Sequence, residues 1–208
     1  MRPIDACRLY GILDLGYVQP ENLESVTEQM IEGGIDILQL RAKDYTAADM
    51  TRMARRVLPL TRDAGVPFIV NDYLQVALSA EANGVHLGQD DQPVSGIRKQ
   101  VPPGFLIGKS THSPDQAREA AQEDVDYIGF GPLFATPTKP DYVPIGLEDI
   151  ALVHEELSLP IFCIGGIKAE NAASILHAGA KRLVIVSGIL QAPDIPAYIR
   201  EVKSLLTD

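Results

Sequence analysis

Eight short apolar runs, each followed by a segment of helical character, constrain this chain more than any other feature. The runs are Leu9–Leu13, Ile35–Leu40, Phe68–Val70, Asn83–Leu87, Phe105–Ile107, Val125–Ile128, Pro160–Ile164 and Leu183–Val186. They are continuous rather than alternating, as strands buried on both faces should be. Helices are expected at Leu23–Ile31, from Thr46 to about Ala64, Leu74–Ala80, Pro93–Gln100, from Ser113 to about Gln122, Leu147–Glu156, Glu170–His177 and Ile195–Leu206. Gly33-Gly34, Gly65 and Gly179 stop three of them. Ser113-Pro114-Asp115-Gln116 predicts an N-terminus, with Ser113 as N-cap, Pro114 at the first helical position and Gln116 at the third. Strict alternation of strand and helix gives a parallel sheet covered by helices. Eight such units in 208 residues predict a single (β/α)8 barrel domain over residues 1–208. A doubly wound open sheet is the alternative. It usually opens on a Gly-rich dinucleotide loop, and Asp14-Leu15-Gly16 after the first strand is not one.

Bulk properties narrow the function classes. The formal net charge is −10, against a general nucleic-acid binder and for a cytoplasmic protein acting on small molecules. No charged-then-apolar leader and no apolar run near eighteen residues is present, so no membrane partner is expected. Cys7 and Cys163 are isolated, and Cys163 lies in an apolar run as a small core residue would.

A barrel places its chemistry at the C-terminal ends of the strands. Those ends read Gln39-Leu40-Arg41-Ala42-Lys43, Asn71-Asp72, His86-Leu87-Gly88-Gln89-Asp90-Asp91, Gly108-Lys109-Ser110-Thr111-His112, Gly165-Gly166-Ile167 and Ser187-Gly188-Ile189. Alternation points Gln39, Arg41 and Lys43 the same way. After the sixth strand comes a long Gly/Pro-rich loop, Gly129 to Pro140, whose Thr136, Thr138 and Lys139 offer two hydroxyls and one ammonium within four residues. Such a set suits an anion such as phosphate, or is a stiffened connector with a solvated lysine. Gly165-Gly166 and Ser187-Gly188 follow the last two strands, where barrels often hold phosphate on backbone N–H groups. They equally suit tight turns needing positive φ.

Asp72 and Asp91 end adjacent strands and suit Mg2+, which takes one or two carboxylates and completes its shell with water and phosphate. They equally suit helix caps or a rim ion-paired with Arg41 and Lys43. His86 is expected as a core-facing histidine bonded to backbone, and His112 near the site. Ser110 has no base in sequence reach and is expected to donate to an anion rather than attack. The set lacks a nucleophile and an acid–base pair. It fits charge stabilisation and positioning of phosphorylated groups.

These blocks, taken together, resemble the thiamine phosphate synthase family. They are Gln39-Leu40-Arg41-x-Lys43, Asn71-Asp72, Gly84-Val85-His86-Leu87-Gly88-Gln89-x-Asp91, Gly108-x-Ser110, Gly129-x-Gly131-Pro132-x-Phe134-x-Thr136-x-Thr138-Lys139, Ile164-Gly165-Gly166-Ile167 and Val186-Ser187. The resemblance runs from about Leu9 to the last helix. It implies a (β/α)8 transferase joining a hydroxymethylpyrimidine pyrophosphate to a hydroxyethylthiazole phosphate, with release of pyrophosphate. It further implies Mg2+ on Asp72 and Asp91. Gln39, Arg41, Lys43, Asn71, Ser110 and Lys139 match the family's pyrimidine-pyrophosphate contacts. Thr136, Thr138, Gly166, Val186 and Ser187 match its thiazole-phosphate contacts. Lys139, Arg41 and Ser110 are the candidate catalytic groups of a dissociative reaction. A homodimer is compatible with the resemblance. Departures are Ala42, where the family usually has Glu, and Lys109, where it usually has an aliphatic residue. A thiazole tautomerase of the same superfamily and a non-catalytic phosphate-binding barrel are the alternatives. The tautomerase tends to lose the Thr-x-Thr-Lys loop, which is intact here.

Overall fold

Strand and helix alternate from end to end in the computed structural model, which describes residues 1–136 and 143–206. The elements are β1 (Leu9–Asp14), α1 (Leu23–Gly33), β2 (Ile37–Arg41), α2 (Ala47–Asp63), β3 (Phe68–Asn71), α3 (Leu74–Ser79), β4 (Gly84–Leu87), α4 (Val94–Arg98), β5 (Leu106–Thr111), α5 (Pro114–Gln122), β6 (Tyr127–Phe130), α6 (Ile150–Glu156), β7 (Ile161–Cys163), α7 (Ala169–His177), β8 (Leu183–Ile185), α8 (Ser187–Leu190) and α9 (Ile195–Leu205). The eight strands pair in parallel in sequence order, and β8 closes onto β1.

Alternation along each strand sorts the side chains into two cores. Tyr10, Ile12, Ile37, Ile69, Leu106, Tyr127, Phe162 and Val184 fill the barrel interior. Leu9, Leu13, Leu38, Leu40, Val70, Val85, Ile107, Ile128 and Cys163 face outward against the helices. Tyr10, Tyr127 and Phe162 meet edge to face, with ring centroids 5.4–5.9 Å apart. This aromatic layer is the floor of everything above it. Below it, the buried Asp36 carboxylate accepts from the N–H groups of Arg8 and Leu9 at 3.0 and 2.9 Å, from Lys203 at 2.7 Å, and from Arg2. That network ties α9 and the N-terminus to the barrel's closed end, and leaves the C-terminal rim as the open one.

Local chemistry accounts for the boundaries. Thr46 and Ser113 accept hydrogen bonds from the third-residue N–H groups of α2 and α5, both at 3.2 Å. Gln116 reaches back, but to the N–H of His112 at 2.8 Å rather than to Ser113. Strand β5 continues to Thr111, four residues beyond the expected Ile107, because Gly108 to Thr111 pair with Tyr127 to Phe130. Its polar end is the rim of a pocket, not the start of a loop. Helix α6 starts at Ile150 rather than Leu147, and the four-residue α8 was not expected at all.

The two unusual positions lie outside the barrel interior. Ala42 is 2% exposed and belongs to the outer core. Lys109 pairs with Glu123 at the end of α5 at 2.5 Å. Both departures are therefore matters of helix–barrel packing.

Candidate active site

Register determines which polar side chains meet at the rim. Asp14 and Arg41 are cross-strand neighbours at the ends of β1 and β2. Arg41 donates to the Asp14 carboxylate at 2.6 Å, and the other Asp14 oxygen accepts from the N–H of Gly16 at 2.9 Å. The two side chains are 13% and 3% exposed. The guanidinium is thus held on one edge and left open on the pocket side. Arg41 does not pair with Asp72 or Asp91, so the ion-paired rim anticipated as one alternative is not formed by it.

One pocket opens at the C-terminal ends of the strands, above the aromatic layer. Of the sequence-predicted residues it brings together Gln39, Arg41, Asn71, Ser110, Thr136, Gly166, Val186 and Ser187. Lys43 is exposed and does not line it, and neither Asp72 nor Asp91 is among its lining residues. Thr138 and Lys139 lie outside the described residues. His112, expected near the site, does line the pocket, and its Nδ1 donates to the carbonyl of Gly131.

Two expectations are corrected. His86 does not turn into a core to bond backbone; its ring lines the pocket and bonds two side chains. Nδ1 lies 3.2 Å from the Tyr127 hydroxyl, and Nε2 lies 3.0 Å from Ser110 Oγ. Ser110 therefore does have a histidine in contact, brought in from 24 residues away across the β4–β5 pairing. The chain of contacts continues. The Tyr127 hydroxyl is 3.1 Å from that of Tyr10, which accepts from Gln39 Nε2 at 2.8 Å. Burial raises the pKa of both tyrosines, so both hydroxyls keep their protons at any physiological pH. Gly108 makes this approach feasible. A Cβ there would collide with the Tyr127 ring and hydroxyl and with His86 Nδ1.

Asp72 follows β3 with φ at +61°, a left-handed conformation uncommon outside glycine, and its N–H donates to the His86 carbonyl at 2.8 Å. Asp91 closes its own loop by accepting from the N–H of Gly88 at 2.6 Å through Oδ2. Neither acts as a helix cap. Helices α3 and α4 begin after Tyr73 and Pro93, and no side chain caps either one. The capping alternative for these aspartates is thereby removed.

Gly165 and Gly166 have φ of +101° and +65°. The turn reading is correct for this pair, whereas Gly188 lies inside α8 without positive φ; at Gly166 crowding adds a reason. A Cβ on Gly166 would lie 2.7 Å from Phe134 Cβ and 2.9 Å from the carbonyl oxygen of Ala135. The turn after β7 is thus packed against the start of the loop that carries Thr136. Asn171 of α7 fixes it from behind, donating to the Gly166 carbonyl at 3.0 Å while accepting from the N–H of Lys168 at 2.8 Å. Asp14, Tyr10, Tyr127 and Asn171 were missed from sequence. A phenol inside an otherwise apolar barrel strand was the available signal for the two tyrosines, since a buried hydroxyl needs a partner.

Comparison with known proteins places the whole chain beside one family. Residues 9–189 fit the family model described as thiamine monophosphate synthase. The thiamine-phosphate synthase of Pelotomaculum thermopropionicum is 44% identical over 200 residues, covering 96% of this chain and 92% of the relative. That of Chloroflexus aurantiacus is 41% identical over 201 residues, covering 96% and 93%. The solved thiamine phosphate pyrophosphorylase of Pyrococcus furiosus superposes with a TM-score of 0.88 at 30% identity, covering 98% of this chain and 96% of that one. With the family model matched over residues 9–189 and relatives more than 40% identical over nearly the whole length, this chain belongs to the thiamine monophosphate synthase family.

Proposed function

We propose that this protein is a thiamine-phosphate synthase acting in the cytoplasm. It condenses 4-amino-2-methyl-5-(diphosphooxymethyl)pyrimidine with 4-methyl-5-(2-phosphooxyethyl)thiazole to give thiamine monophosphate and pyrophosphate. The observation that supports this reading is a single rim pocket over an aromatic floor, lined by Arg41, Asn71 and Ser110 of β2, β3 and β5 and by Thr136, the Gly165-Gly166 turn and Ser187 after β6, β7 and β8. Among the described residues no helix is long and apolar enough to cross a membrane.

The bond changes explain the site's economy. One C–O bond breaks between the pyrimidine methylene and pyrophosphate, which departs with the electron pair. One C–N bond forms as the thiazole nitrogen gives its lone pair to that carbon. No proton has to move, so neither general base nor nucleophile is required. The protein has to stabilise the departing charge and hold the nitrogen in line. Arg41 would bind pyrophosphate oxygens through the guanidinium edge that Asp14 leaves open. Asn71 and Ser110 would donate to the same group, Lys43 would add positive charge at the rim, and Gln39 would orient the pyrimidine. Thr136, Gly166, Val186 and Ser187 would seat the thiazole phosphate, with Thr138 two residues after Thr136 in the sequence.

Asp72 and Asp91 fit a hard divalent cation. Asp91 keeps Oδ1 available beyond its bond to Gly88, and neither carboxylate is used as a helix cap. Among the described residues no three metal-binding side chains converge, so water and phosphate would supply the remaining ligands. When bound there, Mg2+ would neutralise charge on the leaving pyrophosphate.

Two outcomes follow. Lys139→Ala is expected to lower kcat more than it raises KM, because a contact that strengthens as charge develops acts on the transition state. Steady-state kinetics with unchanged kcat would refute that role. Gly166→Ala is expected to displace the Phe134–Ala135 segment and so to impair use of both substrates, rather than of the thiazole phosphate alone. Separate KM values for the two substrates decide this. The function itself is tested by incubating the protein with both substrates and Mg2+ and weighing the products. Thiamine monophosphate formed only when both are present supports the reading, and its absence refutes it.

A further inference from the structure

The Gln39–Tyr10–Tyr127–His86–Ser110 series crosses the barrel floor, and the reaction as written uses no proton from it. Its contacts are 2.8, 3.1, 3.2 and 3.0 Å. Tyr10 and Tyr127 are 2% and 0% exposed, so water cannot substitute for a missing partner. Each phenol owns one proton. Gln39 Nε2 donates to the Tyr10 oxygen, which commits the Tyr10 proton to Tyr127. Tyr127 must then donate onward to His86 Nδ1. With Nδ1 accepting, a neutral imidazole carries its proton on Nε2 and donates it to Ser110 Oγ. Ser110's own proton is left directed at the pocket. An imidazolium would not fit this pattern, because Tyr127 would then face two donors with no acceptor for its own proton.

We infer that Tyr10 and Tyr127 are positioning residues that act through His86. They hold His86 as the Nε2–H tautomer, and so make Ser110 a committed hydrogen-bond donor to an anionic oxygen in the pocket. The opposite polarity would have Ser110 donate to His86, and its oxygen would then present lone pairs to an incoming anion. Gly108 belongs to the device, since any Cβ there would separate Tyr127 from His86. The kinetic part of this inference rests on the proposed pyrophosphate release. The tautomer does not.

The first test therefore needs no turnover. Protein labelled with 15N-histidine, free of substrate at pH 8, gives ring-nitrogen shifts and couplings that distinguish the two neutral tautomers. His86 is assigned by the signal lost in His86→Gln. The expected result is Nε2–H; a predominant Nδ1–H form overturns the inference. The second test is a double-mutant cycle under conditions of substrate turnover. Ser110→Ala is expected to lower kcat about 100-fold, the usual loss on removing one preorganised donor. Tyr127→Phe keeps the ring and is expected to lower kcat about tenfold with little change in KM. In the Ser110→Ala background the same Tyr127→Phe change should cost less than twofold. Independent, additive losses would overturn the inference, since a merely structural hydroxyl would matter whether or not Ser110 is there. Tyr10→Phe serves as the second variant and should show the same dependence on Ser110. Circular dichroism and thermal unfolding establish that each variant folds. If the wild-type protein formed no thiamine monophosphate, the proposed function would fail while the tautomer measurement still decided the relay.

Discussion

Excess chelator is expected to abolish thiamine monophosphate formation, and Asp91→Asn to raise the Mg2+ requirement while Asp90→Asn changes little. The reason is electrostatic. Free pyrophosphate carries about three negative charges near neutral pH, and the protein is itself at −10. One unit-charge contact at roughly 4 Å amounts to about 4 kcal/mol at an effective dielectric of about 20, before desolvation is subtracted. Arg41, already paired with Asp14, would with Lys43 and Lys139 offset the leaving group only in part, and Asp72 and Asp91 would oppose it unless a cation lay between. The structure sharpens the control. Asp91 Oδ2 accepts from Gly88, and an asparagine oxygen can do the same, so Asp91→Asn should keep the loop and change only the charge. Asp90 is its immediate neighbour and is exposed. A long-range field effect would weaken both variants alike. Titration of activity against Mg2+ decides it. Equal losses, or full activity in chelator, would show that these carboxylates hold no catalytic metal.

Asp14→Ala should damage stability and catalysis together. It strands the Arg41 guanidinium and the N–H of Gly16. Breaking a buried ion pair from one side costs about 3–5 kcal/mol. Arg41 keeps some exposure toward the pocket, so the lower end, about 3 kcal/mol, is expected. For a chain of this size that is a fall in Tm of about 6–12 °C. The freed guanidinium would sample several orientations, and kcat/KM for the pyrimidine substrate should fall about 10–100-fold. The exposed pair of Arg200 and Glu32 at 4.0 Å provides the contrast. Glu32→Ala should change stability by less than about 0.5 kcal/mol and leave kinetics alone. Calorimetry and steady-state kinetics on both variants check the pair. A Tm for Asp14→Ala within a degree of wild type would remove the positioning role assigned to Asp14.

The barrel was legible because it is written in local patterns. Continuous apolar runs, glycine stops and the Ser113 cap each announce themselves within about ten residues, and alternation does the rest. Rim residues followed from the same frame, since strand ends are read directly once strands are placed. What escaped was non-local. His86 lies 41 residues from Tyr127 and 24 from Ser110, and only the pairing of β4, β5 and β6 brings the three together. Reading His86 as a backbone-bonded core residue was the expectation most at odds with the structure. Asp14 looked like a strand terminus because its partner Arg41 is one strand away in register rather than nearby in sequence. Polar residues at Gly108 to Thr111 suggested a loop, because apolar periodicity cannot mark the part of a strand that lines a wet pocket. Helix α8, at four residues, is too short for any periodic signal.

One rim of this barrel is expected to hold both anions of the condensation at once. A crystal structure of the protein with thiamine monophosphate, pyrophosphate and Mg2+ tests this most directly. Pyrophosphate is expected against Arg41, Asn71 and Ser110, the thiamine phosphate against Gly166 and Ser187, and the cation on Asp72 and Asp91. Pyrophosphate bound away from Arg41 and Ser110, or a cation held without either aspartate, would contradict it.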